Sequence, residues 1–237
     1  MSKIPYSRIL LKVSGEALAG TEPYGIDARA CQWVITATRD LLEHGIEVGI
    51  VIGGGNIFRG VKGSELGITQ TAADAMGMLA TNINAIALDE GFRKAGIKSL
   101  VLSAIVGPPI AEPYAPRKAI KALERKEVVL FAGGTGNPYF TTDTAAVLRA
   151  CEIGAGAVLK GTKVGGVYSK DPVRYPEATR FERISYKTVL SEGLGIMDAT
   201  AIALAESRHL PIYVFDLAAT TKLTEIFTNT GMATIIC

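Results

Sequence analysis

Four glycine-rich segments of this sequence, three of which also carry lysine or arginine, have a composition that suits the binding of phosphate groups. They cover residues 12–16, 53–60, 133–143 and 160–166. Glycine permits left-handed backbone conformations and leaves backbone N–H groups accessible to an anion. Where such a turn opens a helix, the helix dipole favours negative charge further. Four such turns predict a site for two phosphate-bearing ligands if the fold brings them together.

Positive charge in the same segments suits phosphoryl transfer. Lys12, Arg59 and Lys160 can neutralise a transferring phosphoryl group, which needs little covalent help from a protein. Known nucleotide fingerprints are absent, because the sequence has no Gly-Lys dipeptide and no glycine three residues after a Gly-x-Gly. It also lacks the His-Arg-Asp and Asp-Phe-Gly signatures of protein kinases. A different lineage of phosphate-binding proteins is indicated.

The elements that must position these segments alternate along the chain. Short runs of Val, Ile and Leu predict buried strands, and longer amphipathic stretches predict helices. The predicted strands are 8–13, 47–52, 98–103, 128–132, 157–160, 212–215 and 233–236, and the predicted helices are 27–44, 71–95, 116–125, 142–153 and 197–208. This alternation predicts an α/β fold with a mainly parallel sheet and helices on both faces. Each glycine-rich segment follows a predicted strand, so all four should meet at the carboxyl edge of the sheet.

One predicted helix carries an apolar stripe. In the segment 71–95, Met76, Leu79, Ile83 and Ile86 recur at spacings of three and four residues. This spacing predicts a helix face buried in the core.

Composition excludes several classes of protein. The 237 residues carry 25 Lys and Arg against 23 Asp and Glu, so the net charge of +2 favours neither a nucleic-acid nor a membrane partner. Three widely separated cysteines argue against a disulfide framework or a zinc site. The first residues have no apolar leader, and no apolar run of membrane-spanning length occurs. We therefore expect a cytoplasmic protein.

Four motifs, in this order, resemble a known family. They are the segments 12–18 (Lys-Val-Ser-Gly-Glu-Ala-Leu), 51–60 (Val-Ile-Gly-Gly-Gly-Asn-Ile-Phe-Arg-Gly), 74–81 (Asp-Ala-Met-Gly-Met-Leu-Ala-Thr) and 135–143 (Thr-Gly-Asn-Pro-Tyr-Phe-Thr-Thr-Asp). The first two resemble the amino-acid kinase superfamily, and the others narrow the resemblance to the bacterial uridylate kinase (UMP kinase) family. The resemblance runs from about residue 8 to about residue 231.

The resemblance implies transfer of the γ-phosphoryl group of ATP, with Mg²⁺, to UMP. It also implies a three-layer α/β/α sandwich that forms a homohexamer. The chain 1–237 would be one α/β domain, with a UMP-binding half over 1–155 and an ATP-binding half over 156–237. Regulation by GTP or UTP stays open, because the segment 89–100 does not show the particular basic and histidine residues that are associated with strong GTP activators in the family.

The motifs also imply roles for individual residues. The catalytic residues would be Lys12, Arg59, Asp143 and Lys160. ATP would be bound by Lys12, Val13, Ser14, Gly15, Gly55, Arg59, Thr162, Tyr168 and Asp171, the last three at the adenosine. UMP would be bound by Gly54, Asp74, Thr135, Gly136, Asn137, Pro138, Tyr139, Phe140, Thr141 and Thr142.

Several of these residues also have a purely structural interpretation. Asp74 and Asp143 open predicted helices, where the dipole favours a carboxylate without any ligand. Thr141 and Thr142 could serve as helix caps. We expect Asp74 to accept ribose hydroxyls, and Asp143 to organise the lysines rather than act as a base, because the phosphate of UMP is already ionised.

Two alternative functions stay open. One is another enzyme of the superfamily with a carboxylate or carbamate acceptor, and the other is a non-catalytic nucleotide-binding or storage protein on the same fold. One motif departs from the family, whose members commonly read Lys-Val-Asp-Gly where this sequence has Lys163, Val164, Gly165 and Gly166.

Overall fold

A computed structural model describes residues 4–58, 67–105, 111–220 and 222–237. Within them, nine strands form one sheet in the order β4-β3-β5-β2-β1-β6-β8-β9-β7. Neighbouring strands are parallel except β8 and β9, which are antiparallel. The strands are β1 (Arg8–Val13), β2 (Glu47–Ile52), β3 (Ser99–Ser103), β4 (Glu112–Pro113), β5 (Val128–Ala132), β6 (Val158–Thr162), β7 (Arg183–Ile184), β8 (Ile212–Asp216) and β9 (Ala233–Ile236). The mainly parallel sheet is confirmed.

Helices connect the strands and cover both faces of the sheet. They are α1 (Gly15–Leu18), α2 (Ala28–Glu43), α3 (Gln70–Lys94), α4 (Pro116–Glu124), α5 (Thr142–Ile153), α6 (Tyr186–Ser191) and α7 (Ala199–Ser207), with 3₁₀ turns at Leu223–Phe227 and Thr230–Met232. The five predicted helices are present, with ends displaced by no more than two residues. The two-residue strands and the short helices α1 and α6 were not predicted, because so few residues show no periodicity.

Two apolar clusters fill the space between the sheet and its helices. Leu10 of β1 belongs to the cluster under α4, α5, α6 and α7, whereas Ile9 and Leu11 belong to the cluster under α2 and α3. Successive side chains of a strand point to opposite faces, so a strand covered on both sides is apolar throughout. The layers are therefore helices, sheet and helices, which confirms the three-layer α/β/α sandwich.

The predicted buried stripe of α3 is wrong. Met76, Leu79 and Ile83 are 39%, 52% and 48% exposed, and Ile86 is half-buried. The buried face of the helix consists mainly of small, polar and aromatic residues: Ala73, Ala80, Thr81, Asn84, Ala85, Leu88 and Phe92. Small residues let the helix approach the turn after β2, where an added Cβ on Gly54 would lie 2.7 Å from the carbonyl oxygen of Gly77. Close backbone contact thus decides which face is buried.

None of the described helices is long and apolar enough to cross a membrane.

Candidate active site

Two lysines meet on adjacent strands at the carboxyl edge of the sheet. Lys12 of β1 and Lys160 of β6 are direct partners in the strand register, so their side chains leave the sheet on the same face. Both residues are buried, at 6% and 7% exposure. Two buried ammonium groups side by side repel each other and need a shared counter-charge.

Asp143 supplies that counter-charge. Its Oδ1 lies 2.7 Å from Nζ of Lys12, and its Oδ2 accepts a hydrogen bond of 2.7 Å from Nζ of Lys160. The ammonium of Lys160 also donates to the carbonyl oxygen of Ile196. The structure therefore brings three of the four predicted catalytic residues into one cluster. Arg59, the fourth, lies outside the described residues.

Ionisation in this cluster follows from burial and charge together. Burial alone would raise the pKa of Asp143, but the positive charges of Lys12 and Lys160 and their hydrogen bonds outweigh it and hold that pKa below its ordinary value. Burial lowers the pKa of Lys160, and nearby Lys12 lowers it further, while Asp143 opposes both effects. The carboxylate thus stays ionised at neutral pH and unsuited to accept a proton.

The N-terminus of α5 places Asp143 through two caps. The Oγ1 of Thr141 accepts a hydrogen bond of 3.0 Å from the backbone N–H of Asp143, which makes Thr141 the N-cap. The hydroxyls of Thr141 and Thr144 both donate to the carboxylate of Asp198. Asp198 in turn caps α7 by accepting from the N–H of Ala201 at 2.7 Å. Sequence reasoning missed Asp198, although an Asp directly before a helix is a capping signal.

The turns after β1 and β2 are in backbone contact. A Cβ added to Gly15 would lie 2.6 Å from the backbone nitrogen of Gly55, and one added to Gly53 would lie 2.6 Å from that of Gly15. Only glycine fits at these two positions, which presents the main chain of both turns beside the lysine cluster. Gly54 and Gly55, predicted to bind UMP and ATP respectively, lie in the same turn after β2.

A buried amide pair holds the turn after β2. Asn56 and Asn84 exchange hydrogen bonds of 2.9 and 2.7 Å, and each has a further backbone acceptor, the carbonyls of Gly25 and Gly53 respectively. Both side-chain amides are thereby bonded on the oxygen and the nitrogen. Sequence reasoning missed Asn84, since it lies 28 residues beyond Asn56 on α3.

The turn after β5 is shaped by left-handed residues. Gly133, Gly134 and Gly136 have φ of +76°, +57° and +80°, and the N–H of Gly136 donates to the carbonyl of Gly133 at 2.9 Å. Tyr139 is also left-handed, with φ of +70°. We call residues 133–141 the acceptor loop, since most of the predicted UMP-binding residues lie there.

Helix α3 ties this acceptor loop to the rest of the site. The Oδ2 of Asp74 accepts a hydrogen bond of 2.7 Å from the N–H of Tyr139, and its Oδ1 accepts one of 2.7 Å from Gln70. The hydroxyl of Thr81 accepts from the N–H of Gly133 at 2.7 Å. The structure therefore brings Asp74 to the loop with which it was predicted to share a ligand. Within the loop, Thr135 and Asn137 bond each other, while the side chains of Tyr139 and Phe140 are exposed.

A cavity of about 270 Å³ lies between α1, α2 and the ends of β6 and β8. Val13, Ser14 and Thr162, all predicted at the ATP site, line it. Tyr168 and Asp171 are not among its lining residues. Tyr168 forms a bridge with Arg180, and Asp171 accepts from the N–H of Val173 at 2.9 Å. Their predicted contact with adenosine stays a prediction.

Among the described residues there is no group of three or more His, Cys, Asp or Glu that could hold a metal ion. Mg²⁺ is usually bound through one or two carboxylates and the phosphates of a nucleotide rather than by a protein cage, and its presence here stays a prediction.

Comparisons with known proteins identify the family of this chain. A model of the amino acid kinase family matches residues 7–216. A uridylate kinase of Legionella pneumophila (strain Paris) is 48% identical over 234 residues, which are 99% of this chain and 95% of that protein. The chain belongs to the uridylate kinases of the amino acid kinase family.

Other members of the family are similar over nearly their whole length. A uridylate kinase of Sinorhizobium medicae (strain WSM419) is 49% identical over 98% of this chain and 96% of its own. The crystal structure of UMP kinase from Bacillus anthracis aligns with a TM-score of 0.94 at 34% identity, covering 98% of this chain and 96% of that one. The fold predicted for the family is thus confirmed in this chain.

Proposed function

We propose that this protein transfers the γ-phosphoryl group of ATP to UMP, a step of pyrimidine nucleotide biosynthesis that forms ADP and UDP. The observation that carries the proposal is the cluster of Lys12, Asp143 and Lys160, which lies between glycine turns at one edge of the sheet. Identity of 48% to a uridylate kinase over nearly the full length supports UMP as the acceptor.

The chemistry needs positive charge more than a base. A phosphate oxygen of UMP bonds to the γ-phosphorus of ATP, while the bond from that phosphorus to the oxygen bridging the β- and γ-phosphates breaks. Each lysine ammonium has three N–H donors. Asp143 forms an ion pair with Lys12 and accepts one hydrogen bond from Lys160, whose second donor bonds Ile196, so both lysines keep donors for phosphate oxygens. Asp143 orients the two cations and removes no proton.

Mg²⁺ would enter with ATP and be held mainly by its phosphate oxygens, where it supplies further neutralisation of the developing charge. We propose that the phosphates of ATP lie against the backbone of Ser14, Gly15 and Gly55, and that its adenosine extends towards the cavity lined by Thr162. Arg59 keeps its predicted role at the transferred phosphoryl group. In this arrangement the segment 1–155 binds UMP and the segment 156–237 binds ATP.

A coupled assay of ADP formation tests the proposed function. It is run with UMP, CMP, dUMP, acetylglutamate or aspartate as the acceptor, and we expect UMP to be preferred by a wide margin. The variant Lys12→Met, purified identically, controls for contaminating kinases. Equal use of CMP would overturn the acceptor assignment. Turnover confined to a carboxylate acceptor favours the other enzymes of the superfamily, and nucleotide binding without turnover favours a storage protein.

We also propose a homohexamer in which the exposed stripe of α3 contacts a second copy of the chain. Met76, Leu79 and Ile83 present an apolar surface that water disfavours. Light scattering should show an assembly at micromolar concentration, and Leu79→Asp should reduce its mass. Val173→Asp, at a residue that is 80% exposed and lies outside α3, is the matched control and should leave the mass unchanged. A monomeric parent protein would contradict the proposal.

A cytoplasmic location is supported by the three cysteines, Cys31, Cys151 and Cys237, which are all unpaired. GTP and UTP are candidate effectors, and adding each nucleotide to the same assay measures its effect.

A further inference from the structure

A buried arginine lies directly beneath the acceptor loop. Arg149 of α5 is only 4% exposed, and its guanidinium carbon lies 3.9 Å from the centre of the Tyr114 ring. One Nη donates to Oε2 of Glu152 at 2.6 Å, and the hydroxyl of Tyr114 donates to the same oxygen at 2.5 Å. Burying a cation is costly unless it is paired, so this network accounts for the charge of Arg149. The other Nη of Arg149 makes a contact outside this network.

That second Nη donates to the carbonyl oxygen of Gly134 at 3.3 Å. Gly134 is the second residue of the turn closed by the bond from Gly136 N–H to Gly133 carbonyl, and its φ is +57°. The peptide joining Gly134 to Thr135 is planar and trans, so its C=O and N–H point in opposite directions. With the carbonyl directed down to Arg149, the N–H of Thr135 is directed away from the helix.

Two N–H groups of this turn have no protein partner among the described residues. Neither Gly134 N–H nor Thr135 N–H donates a hydrogen bond to any of them. Thr81 holds Gly133 at one end of the turn, and Asp74 holds Tyr139 further along. The peptide between Gly134 and Thr135 is the part that these two contacts leave unsupported, and central peptides of glycine turns can adopt more than one orientation.

We propose that Arg149 is a positioning residue for the acceptor. Its guanidinium fixes the orientation of the Gly134–Thr135 peptide, so that Thr135 N–H is already directed at UMP before UMP binds. The proposal rests on the proposed function, in which the acceptor loop holds UMP. Arginine suits this role because its planar fork can stack on Tyr114 while donating to two separate acceptors, whereas lysine offers a point charge.

The test compares steady-state kinetics of Arg149→Lys and Arg149→Met with the parent protein. We expect the KM for UMP to rise about tenfold, the effect of losing one hydrogen bond from a charged donor, while the KM for ATP changes less than about twofold. Glu152→Gln is the matched control, because it removes the ion pair, keeps an acceptor for Arg149 and leaves the bond to Gly134. It should lower the melting temperature and leave both KM values within about twofold of the parent.

Two kinetic outcomes would overturn the proposal. One is a folded Arg149→Lys protein with the parent KM for UMP, and the other is an equal rise in the KM for UMP and for ATP. If both Arg149 variants fail to fold, the proposal can still be tested on the parent protein. A bond from Thr135 N–H to UMP requires that UMP shift the amide NMR signal of Thr135. An unshifted signal at saturating UMP would also overturn it.

Failure of the proposed function can be distinguished from failure of the role proposed for Arg149. A parent protein that does not phosphorylate UMP contradicts that function itself. A parent protein that is active, with Asn137→Ala raising the KM for UMP and Arg149→Lys leaving it unchanged, contradicts the role of Arg149 alone.

Discussion

The lysine cluster and the acceptor loop occupy neighbouring positions at the same sheet edge but are built in opposite ways. In the cluster, buried side chains of Lys12 and Lys160 project from two strands and meet one carboxylate, so strand register sets the geometry. In the acceptor loop the available groups are backbone N–H groups, and the geometry is set by contacts with Asp74 and Thr81 of α3 and with Arg149 of α5. Substitutions in the lysine cluster should therefore act by disturbing its charge balance, and substitutions around the acceptor loop should act by disturbing the orientation of its backbone.

The largest effect is expected from removing the charge of the cluster. Asp143→Asn leaves two buried lysines without a counter-ion, which should lower the free energy of unfolding by about 3–5 kcal/mol. Loss of their orientation should also reduce kcat about a hundredfold or more. Urea unfolding and turnover on the same preparation measure both quantities. A variant with parent kcat would contradict the role of Asp143 as organiser.

Acid should also lower the free energy of unfolding through the lysine cluster, by less than the substitution Asp143→Asn does. Because the pKa of Asp143 is lowered in the folded protein, its ionised form stabilises the fold at pH values above its ordinary pKa of 3.8. That contribution is lost as the pH falls from there through the lowered pKa. Urea unfolding between pH 5 and 3 should show a steeper loss of stability in the parent than in Asp143→Asn. Equal pH dependence of stability in the parent and in Asp143→Asn would show that Asp143 titrates alike in the folded and unfolded states.

A smaller effect is expected where α3 holds the acceptor loop. Asp74→Ala removes the acceptor for Tyr139 N–H and any bond to a ribose hydroxyl, so the KM for UMP should rise about tenfold with the KM for ATP unchanged. Gln70→Ala, which removes the other partner of Asp74, is the control and should change the KM for UMP less than about threefold. Loss of ATP affinity in Asp74→Ala would show that the two halves of the site are not separable.

The smallest effect is expected within the acceptor loop itself. Tyr139 holds a left-handed conformation that costs a residue with a Cβ about 1–2 kcal/mol, a cost that glycine avoids. Tyr139→Gly should therefore be more stable to urea than Tyr139→Ala by about 1 kcal/mol. Equal stability of the two variants would mean that the loop relaxes away from this conformation.

The contrast also explains which features could be predicted from the sequence. Buried strands are apolar runs, and parallel strands end at one edge, so the residue pattern alone is enough to place Lys12, Lys160 and the glycine turns together. The position of Asp143 could also be predicted, because it opens a helix after one of those turns. The family motifs added Asp74, which does lie against the acceptor loop.

Supporting residues were harder to find because they act from elements distant in the sequence. Thr81, Asn84 and Arg149 are buried polar residues whose partners lie 15 to 52 residues away. One signal was available in the sequence. The predicted helix 142–153 is mostly apolar and carries a single arginine with a glutamate three residues later, a spacing that indicates a buried ion pair. The stripe of α3 was misassigned because the helix buries alanine, threonine and asparagine to reach the backbone of the turn after β2.

The placing of Lys12 and Lys160 as direct partners has a consequence for how the chain folds. Strands β1 and β6 lie at the centre of the sheet, yet pairing them brings two ammonium groups together before Asp143 is in place. Repulsion between them opposes the pairing until α5 docks on that face with its carboxylate. The middle of the sheet and α5 should therefore form as one cooperative unit, with amide protons of β1 and β6 that exchange together and only when that helix detaches.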